Sequence, residues 1–112
     1  MVYTSSSLAL SLLEMLVHLE PDQIPDYAWI STEVLDSSMS MVAGMPESPA
    51  DYGTAWLQEA GAPVGLMVPS VIVPEVNVLL NPAHTDFADL IWTDPSPLRV
   101  DPRLLYSRWT FK

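Results

Sequence analysis

The sequence has no cysteine, which excludes disulfide cross-links, thiol catalysis and thiolate metal sites and leaves the redox compartment undetermined. Basic residues are nearly as scarce. All four, Arg99, Arg103, Arg108 and Lys112, fall in the last fourteen positions, so residues 1–98 carry thirteen of the fourteen carboxylates and no Lys or Arg. With a formal net charge of −10, such a surface repels phosphate backbones, and direct nucleic-acid binding is not expected. A basic protein, or a basic segment of the same fold, is the better partner. Long apolar runs are also missing. The richest, Leu8 to Leu19, is interrupted by Ser11, Glu14 and His18, short of the roughly 20 residues that cross a membrane. Nothing basic precedes it and no small-residue cleavage site follows, so no signal peptide is expected and the cytoplasm is the default location.

What is present suits one domain with one core: 112 residues, 49% hydrophobic and 16% charged, far from the composition of a disordered segment. Val2-Tyr3-Thr4 has the character of a strand end, and Ser5-Ser6-Ser7 supplies helix caps. A helix is expected from Leu8 to Glu20, stopped by Pro21, with turns at Pro21-Asp22 and Pro25-Asp26. Its polar members Ser7, Ser11, Glu14 and His18 lie on one narrow stripe, so the rest of its surface should be buried. Tyr27 to Leu35 reads as a strand, and the Ser, Met and Gly stretch after it has no assignment. A second helix is expected with Ser48 as cap, Pro49 in its first position, Ala55, Trp56 and Leu57 as apolar contacts and Gly61 as its stop. Short strands should follow at Val64 to Val68, Val71 to Val73, Val76 to Leu80 and Phe87 to Trp92. Eleven prolines favour short strands over long helices. The order is that of an α+β fold with mixed or antiparallel late strands.

The polar stripe has two readings. Glu14 and His18 form an ordinary solvated pair on a helix edge, or Glu14 faces a cleft, where a carboxylate stabilises a developing cation or acts as a general base. Ser70, bracketed by Pro69 and Pro74, lacks the glycines of a nucleophile elbow and reads first as a structural serine. His18, His84, Asp86 and Asp89 match no metal-ligand spacing, so no metal is expected. Asn77, Asn81, Pro82 and His84 form a polar run of the kind that leads from a strand into a turn.

Taken together, several segments resemble the RES domain: Val2-Tyr3-Thr4-Ser5, the run from Leu8 to Leu19, Tyr52-Gly53-Thr54-Ala55-Trp56-Leu57, Val68-Pro69-Ser70-Val71-Ile72-Val73-Pro74, Asn77 to His84, and Val100-Asp101-Pro102-Arg103-Leu104. They occur in the family's order across almost the whole chain. The resemblance implies an ADP-ribosyltransferase-like mixed sheet with helices, with residues 1–112 as a partial RES domain. It also implies a toxin of a bacterial toxin–antitoxin pair, with an antitoxin protein as partner. NAD would be the substrate, attacked at the bond between nicotinamide and ribose, with ADP-ribose passed to a protein, to phosphate or to water. Glu14 corresponds to the family's glutamate and Ser70 to its serine, both catalytic, and Tyr3 to a tyrosine lining the nicotinamide pocket. Asn81 and His84 match an Asn-Pro-x-His pattern, and Asn81 joins Tyr3 as a cofactor-binding candidate. The family's phosphate-binding arginine belongs to a segment before the tyrosine, and Met1 here directly precedes Val2-Tyr3. Each missing pair of that kind would forfeit about 1.5–3 kcal/mol of binding. The expectation is therefore an NAD-consuming domain weakened in this form. The alternative is a non-catalytic interaction module, or decayed fragment, that binds an antitoxin.

Overall fold

A computed structural model describes residues 1–18, 26–42, 49–59 and 61–104. Its elements are β1 (Val2–Ser5), α1 (Leu8–Val17), β2 (Tyr27–Trp29), β3 (Met39–Met41), α2 (Pro49–Gln58), β4 (Gly65–Pro69), β5 (Val76–Leu80) and β6 (Ser96–Leu98), with 3₁₀ turns at Asp36–Ser38, Thr85–Asp89 and Pro102–Leu104. A four-stranded sheet runs in the order β1-β5-β4-β3, and β2 and β6 pair separately. The β1–β5 and β4–β5 pairs are antiparallel and β3–β4 is parallel. The fold is α+β with a mixed sheet.

Register assigns the sheet its two faces, because residues directly opposite on neighbouring strands share a side. Tyr3, Leu79 and Leu66 lie in one row, and Ser5, Asn77 and Val68 in the next row of the same face. On this face Leu66 and Leu79 cluster with Val42 and with Trp56 of α2, and Met1, Leu57, Ala62 and Val68 pack against them. Gly53 permits the close approach of α2, since a Cβ there would lie 3.2 Å from Met1 Cε and 3.7 Å from Leu79 Cδ1. Val2, Thr4, Val78, Leu80 and Met67 occupy the opposite face, toward the aromatic side chains of Trp29, Phe87 and Trp92.

Ser7 caps α1, its Oγ accepting from Leu10 N–H at 3.1 Å. Ser7→Ala should destabilise the protein by about 1 kcal/mol, read from the shift of a urea midpoint. Gly65 is the tightest point of the sheet, where a Cβ would fall 2.7 Å from Met39 Cγ on the parallel neighbour. Gly65→Ala should cost about 1–3 kcal/mol by overpacking, measured in the same way.

Several expectations need correction. In α1 only Leu10 is fully buried, while Leu8, Leu13 and Val17 are exposed. A ten-residue helix is about 15 Å long, and α1 packs chiefly on β1, so only one stripe meets protein. Val71 to Val73 is a connecting turn, with Ser70 N–H donating to Glu75 O and Glu75 N–H to Val73 O, both at 2.8 Å. Pro69 and Pro74 bracket it and lack the N–H donors that a ladder needs. Phe87 to Trp92 forms a 3₁₀ turn, capped where His84 Nδ1 accepts from Asp86 N–H, and then an isolated bridge from Trp92 to Thr32. The strand expected to reach Leu35 ends at Trp29. The unassigned Ser and Met stretch supplies β3, and β6 forms despite Pro97, which sits in a two-stranded sheet whose free edges tolerate a missing donor. The expected end of α1 at Glu20 and Pro21, the Pro21-Asp22 turn and the Ser48 cap lie outside the described residues.

Candidate active site

The site begins with a helix start tied to a hairpin. Ser7 Oγ also donates to Glu75 Oε1 at 3.1 Å, which holds the first turn of α1 against the β4–β5 connection. Glu14 follows seven residues later, two turns along the same side, and so faces the base of that connection. There Ser70 Oγ donates to Glu14 Oε1 at 2.9 Å and Asn77 Nδ2 donates to the same oxygen at 2.8 Å. Ser70 Oγ in turn accepts from Ile72 N–H at 3.1 Å, and Ser5 Oγ donates to Asn77 Oδ1 at 2.7 Å. Glu14 Oε2 takes no hydrogen bond among the described residues.

This carboxylate opens onto a cleft of about 720 Å³ between the sheet face and α2, within the roughly 300–1,000 Å³ usual for small-molecule sites. Tyr3 and Asn77 line it from the sheet, Glu14 and His18 from α1, and Tyr52 from α2. Tyr3 is 74% exposed, an aromatic surface open to a planar ligand. Ser70 stands behind Glu14 and is not part of the cleft wall.

The four residues singled out for the site thus have different places. Glu14 and Ser70 are in direct contact, and Tyr3 lines the same cleft. Asn81 sits past the far end of β5, four residues or about 13 Å from Asn77, where its Oδ1 accepts from Ala83 N–H at 3.0 Å in a local turn. His84 caps the following 3₁₀ turn. Ser5 and Asn77 were not singled out. Ser5 read as a possible helix cap and Asn77 as part of a turn-forming run. Their signal is positional, since Ser5 and Asn77 are Cα partners across β1 and β5.

No Lys or Arg lines the cleft among the described residues. Arg103 instead pairs with Asp101, its Nη2 lying 2.7 Å from Asp101 Oδ2, and this guanidinium holds the Asp101 carboxyl below the usual carboxylate range. Among the described residues no three His, Asp or Glu side chains gather as a metal site. The arrangement can offer one oxygen of a fixed carboxylate to a cation or a proton, beside an aromatic ring.

Comparison with known proteins bears on the family. The family model for the RES domain matches residues 1–101. A Yersinia enterocolitica protein named Toxin Res is 33% identical over 117 aligned positions, covering 92% of this chain and 76% of the relative. Toxin Res of Photorhabdus laumondii is 34% identical over 106 positions, covering 82% and 67% respectively. A Sphingobium protein named Prs ADP-ribosylating toxin is 34% identical over 121 positions, covering 93% and 74%. With the family model matching residues 1–101 and three relatives 33–34% identical over most of the length, the chain belongs to the RES domain family.

Proposed function

We propose that this chain is the NAD-consuming domain of a bacterial toxin, and that it breaks the bond between nicotinamide and ribose with Glu14 as its central group. The observation that carries this reading is the hydrogen-bonded Glu14–Ser70 pair beside a cleft that Tyr3 also lines. As the bond from the ribose C1′ to the nicotinamide ring nitrogen breaks, its electron pair passes to that nitrogen, neutralising the pyridinium, and C1′ becomes cationic. Glu14 Oε2 faces that charge, and fixed groups aimed at developing charge are a large source of rate enhancement. Water, phosphate or a side chain of a target protein then bonds to C1′. When the attacking group carries a proton, Glu14 Oε2 accepts it. Tyr3 and Tyr52 supply aromatic surface for the planar nicotinamide, and Ser70 holds Glu14 from behind.

Two relatives carry the name Toxin Res and a third is named for ADP-ribosylation, which supports the toxin role, NAD as substrate and an antitoxin partner. A toxin that consumes NAD acts where NAD is held, in the cytoplasm, and no described helix is long and apolar enough to cross a membrane. One observation favours a second reading, an antitoxin-binding module without chemistry: no Lys or Arg lines the cleft among the described residues to hold a pyrophosphate, while Leu8, Leu13 and Val17 expose apolar surface on α1.

Incubating the purified chain with NAD and measuring free nicotinamide separates the two. Release of nicotinamide supports the enzyme. A folded chain that leaves NAD intact, yet captures the protein encoded beside it, overturns the enzyme in favour of the module. Replacing water with phosphate or a candidate target identifies the acceptor. Ser70→Ala should lower kcat about 10- to 100-fold, as expected for loss of one hydrogen bond to a charged group. Single-turnover kinetics would check this.

A further inference from the structure

Glu14 offers two oxygens, and two side chains from neighbouring strands determine which one is free. Asn77 bridges the Ser5 hydroxyl, which can donate or accept, and Glu14, whose ionised carboxylate only accepts. Its Nδ2 lies 2.8 Å from Glu14 Oε1 and its Oδ1 lies 2.7 Å from Ser5 Oγ. An ionised carboxylate has acceptors alone, so a reversed amide would set two oxygens against each other at that distance. The Ser5 hydroxyl turns its proton to Oδ1 and tethers the amide from the other side. Ser70 supplies the second donor to Oε1, with an oxygen lone pair already engaged by Ile72 N–H.

We infer that Ser5 and Asn77 are positioning residues that act through Glu14, saturating Oε1 so that Oε2 alone is presented to the sugar. The inference rests on the proposed NAD-cleaving role of Glu14. The relay joins three elements, from β1 through β5 to a helix in which only Leu10 is fully buried. Without it, the Glu14 side chain would keep one tether, to Ser70, and could rotate among several poses. Misplacing a reacting group by an ångström has large rate costs because the aligned geometry is lost. Asparagine is the residue type the position requires: an ionised aspartate has no donor for Glu14 and sets a like charge against it, alanine has neither group, and glutamine carries an extra methylene.

The test compares Asn77→Asp, which is nearly isosteric and keeps the acceptor for Ser5, with Ser5→Ala and Ser5→Thr. Asn77→Asp should lower kcat for nicotinamide release about 10- to 100-fold, with KM changed less than about threefold, because Asn77 acts on the carboxylate. Ser5→Ala should cost about 3- to 10-fold, and Ser5→Thr, which keeps the hydroxyl, should restore the rate. In a Glu14→Gln background, Asn77→Asp should change the residual rate less than about threefold, since residues acting as a unit are not additive. Activity lost on Glu14→Gln but retained in full by Asn77→Asp would overturn the inference and leave the enzyme reading intact. A second readout is independent of NAD. The Asn77 side-chain amide protons should be displaced in the ¹⁵N spectrum, and both Ser5→Ala and Glu14→Gln should move them. Free, solvent-like amide resonances would overturn the relay whether or not the protein cleaves NAD.

Discussion

Glu14→Gln should lower the rate of NAD cleavage by about 10²–10⁴-fold, the range associated with a positioned acid–base group, while leaving the unfolding midpoint nearly unchanged. Substitution by glutamine isolates charge from architecture. The Gln Oε1 can accept from Ser70 and Asn77 in place of the carboxylate oxygen that does so at 2.9 and 2.8 Å. What is removed is the negative charge and the acceptor at Oε2, the atom assigned to the sugar cation and to the nucleophile's proton. The effect should therefore fall on kcat, with the Kd for NAD little altered, because charge develops at C1′ only as nicotinamide departs. Pre-steady-state nicotinamide release, together with equilibrium binding of NAD, measures both. A rate unchanged by the substitution would remove Glu14 from the chemistry. In cells the same variant should express without arresting growth.

Trp56→Ala carries the largest expected stability effect, about 3–5 kcal/mol, against a total of roughly 5–15 kcal/mol for a domain of ordinary stability. Trp56 is 4% exposed and packs with Val42, Leu66 and Leu79. Removing the indole would leave a large void, since core neighbours relax only partly into such a space. Its Nε1 is buried and has no partner among the described residues. Trp56→Phe removes that unpaired donor with part of the ring and should cost roughly half as much or less. Denaturant titration of the two variants separates volume from polarity. The consequence reaches function, because this indole seats α2 on the sheet, and α2 carries Tyr52, Gly53 and Thr54 into the cleft wall. NAD turnover should fall in Trp56→Ala at temperatures well below its unfolding transition.

Some of the architecture could be read locally. The serine run before an apolar stretch marked the start of α1, whose cap is Ser7, and the short apolar run at Val76–Leu80 marked β5 to the residue. Caps and short strands are specified by nearby residues, so the order of side chains is enough to find them. The expectation that α1 is wrapped on most sides failed for the complementary reason. Apolar content says what a helix could bury, and the amount of surrounding chain decides what it does bury. Val71 to Val73 failed similarly, since apolar side chains at a hairpin bend stay exposed where prolines deny them a ladder.

The site divides along the same line. Glu14 and Ser70 came from resemblance to a family, because no periodicity joins positions 56 residues apart. Ser5 and Asn77 had no such guide. They meet because β1 and β5 pair antiparallel in one register, and a slip of β1 by one residue would turn Ser5 to the opposite face from Asn77. Composition, capping and the ordered family motifs, all carried by the residues in sequence, were enough for the fold class and the acidic surface, and they nominate Glu14 as the carboxylate to test. Which oxygen of that carboxylate is held and which is free depends on hydrogen bonds a few ångströms long between segments far apart in the chain, and those distances exist only after the sheet has formed.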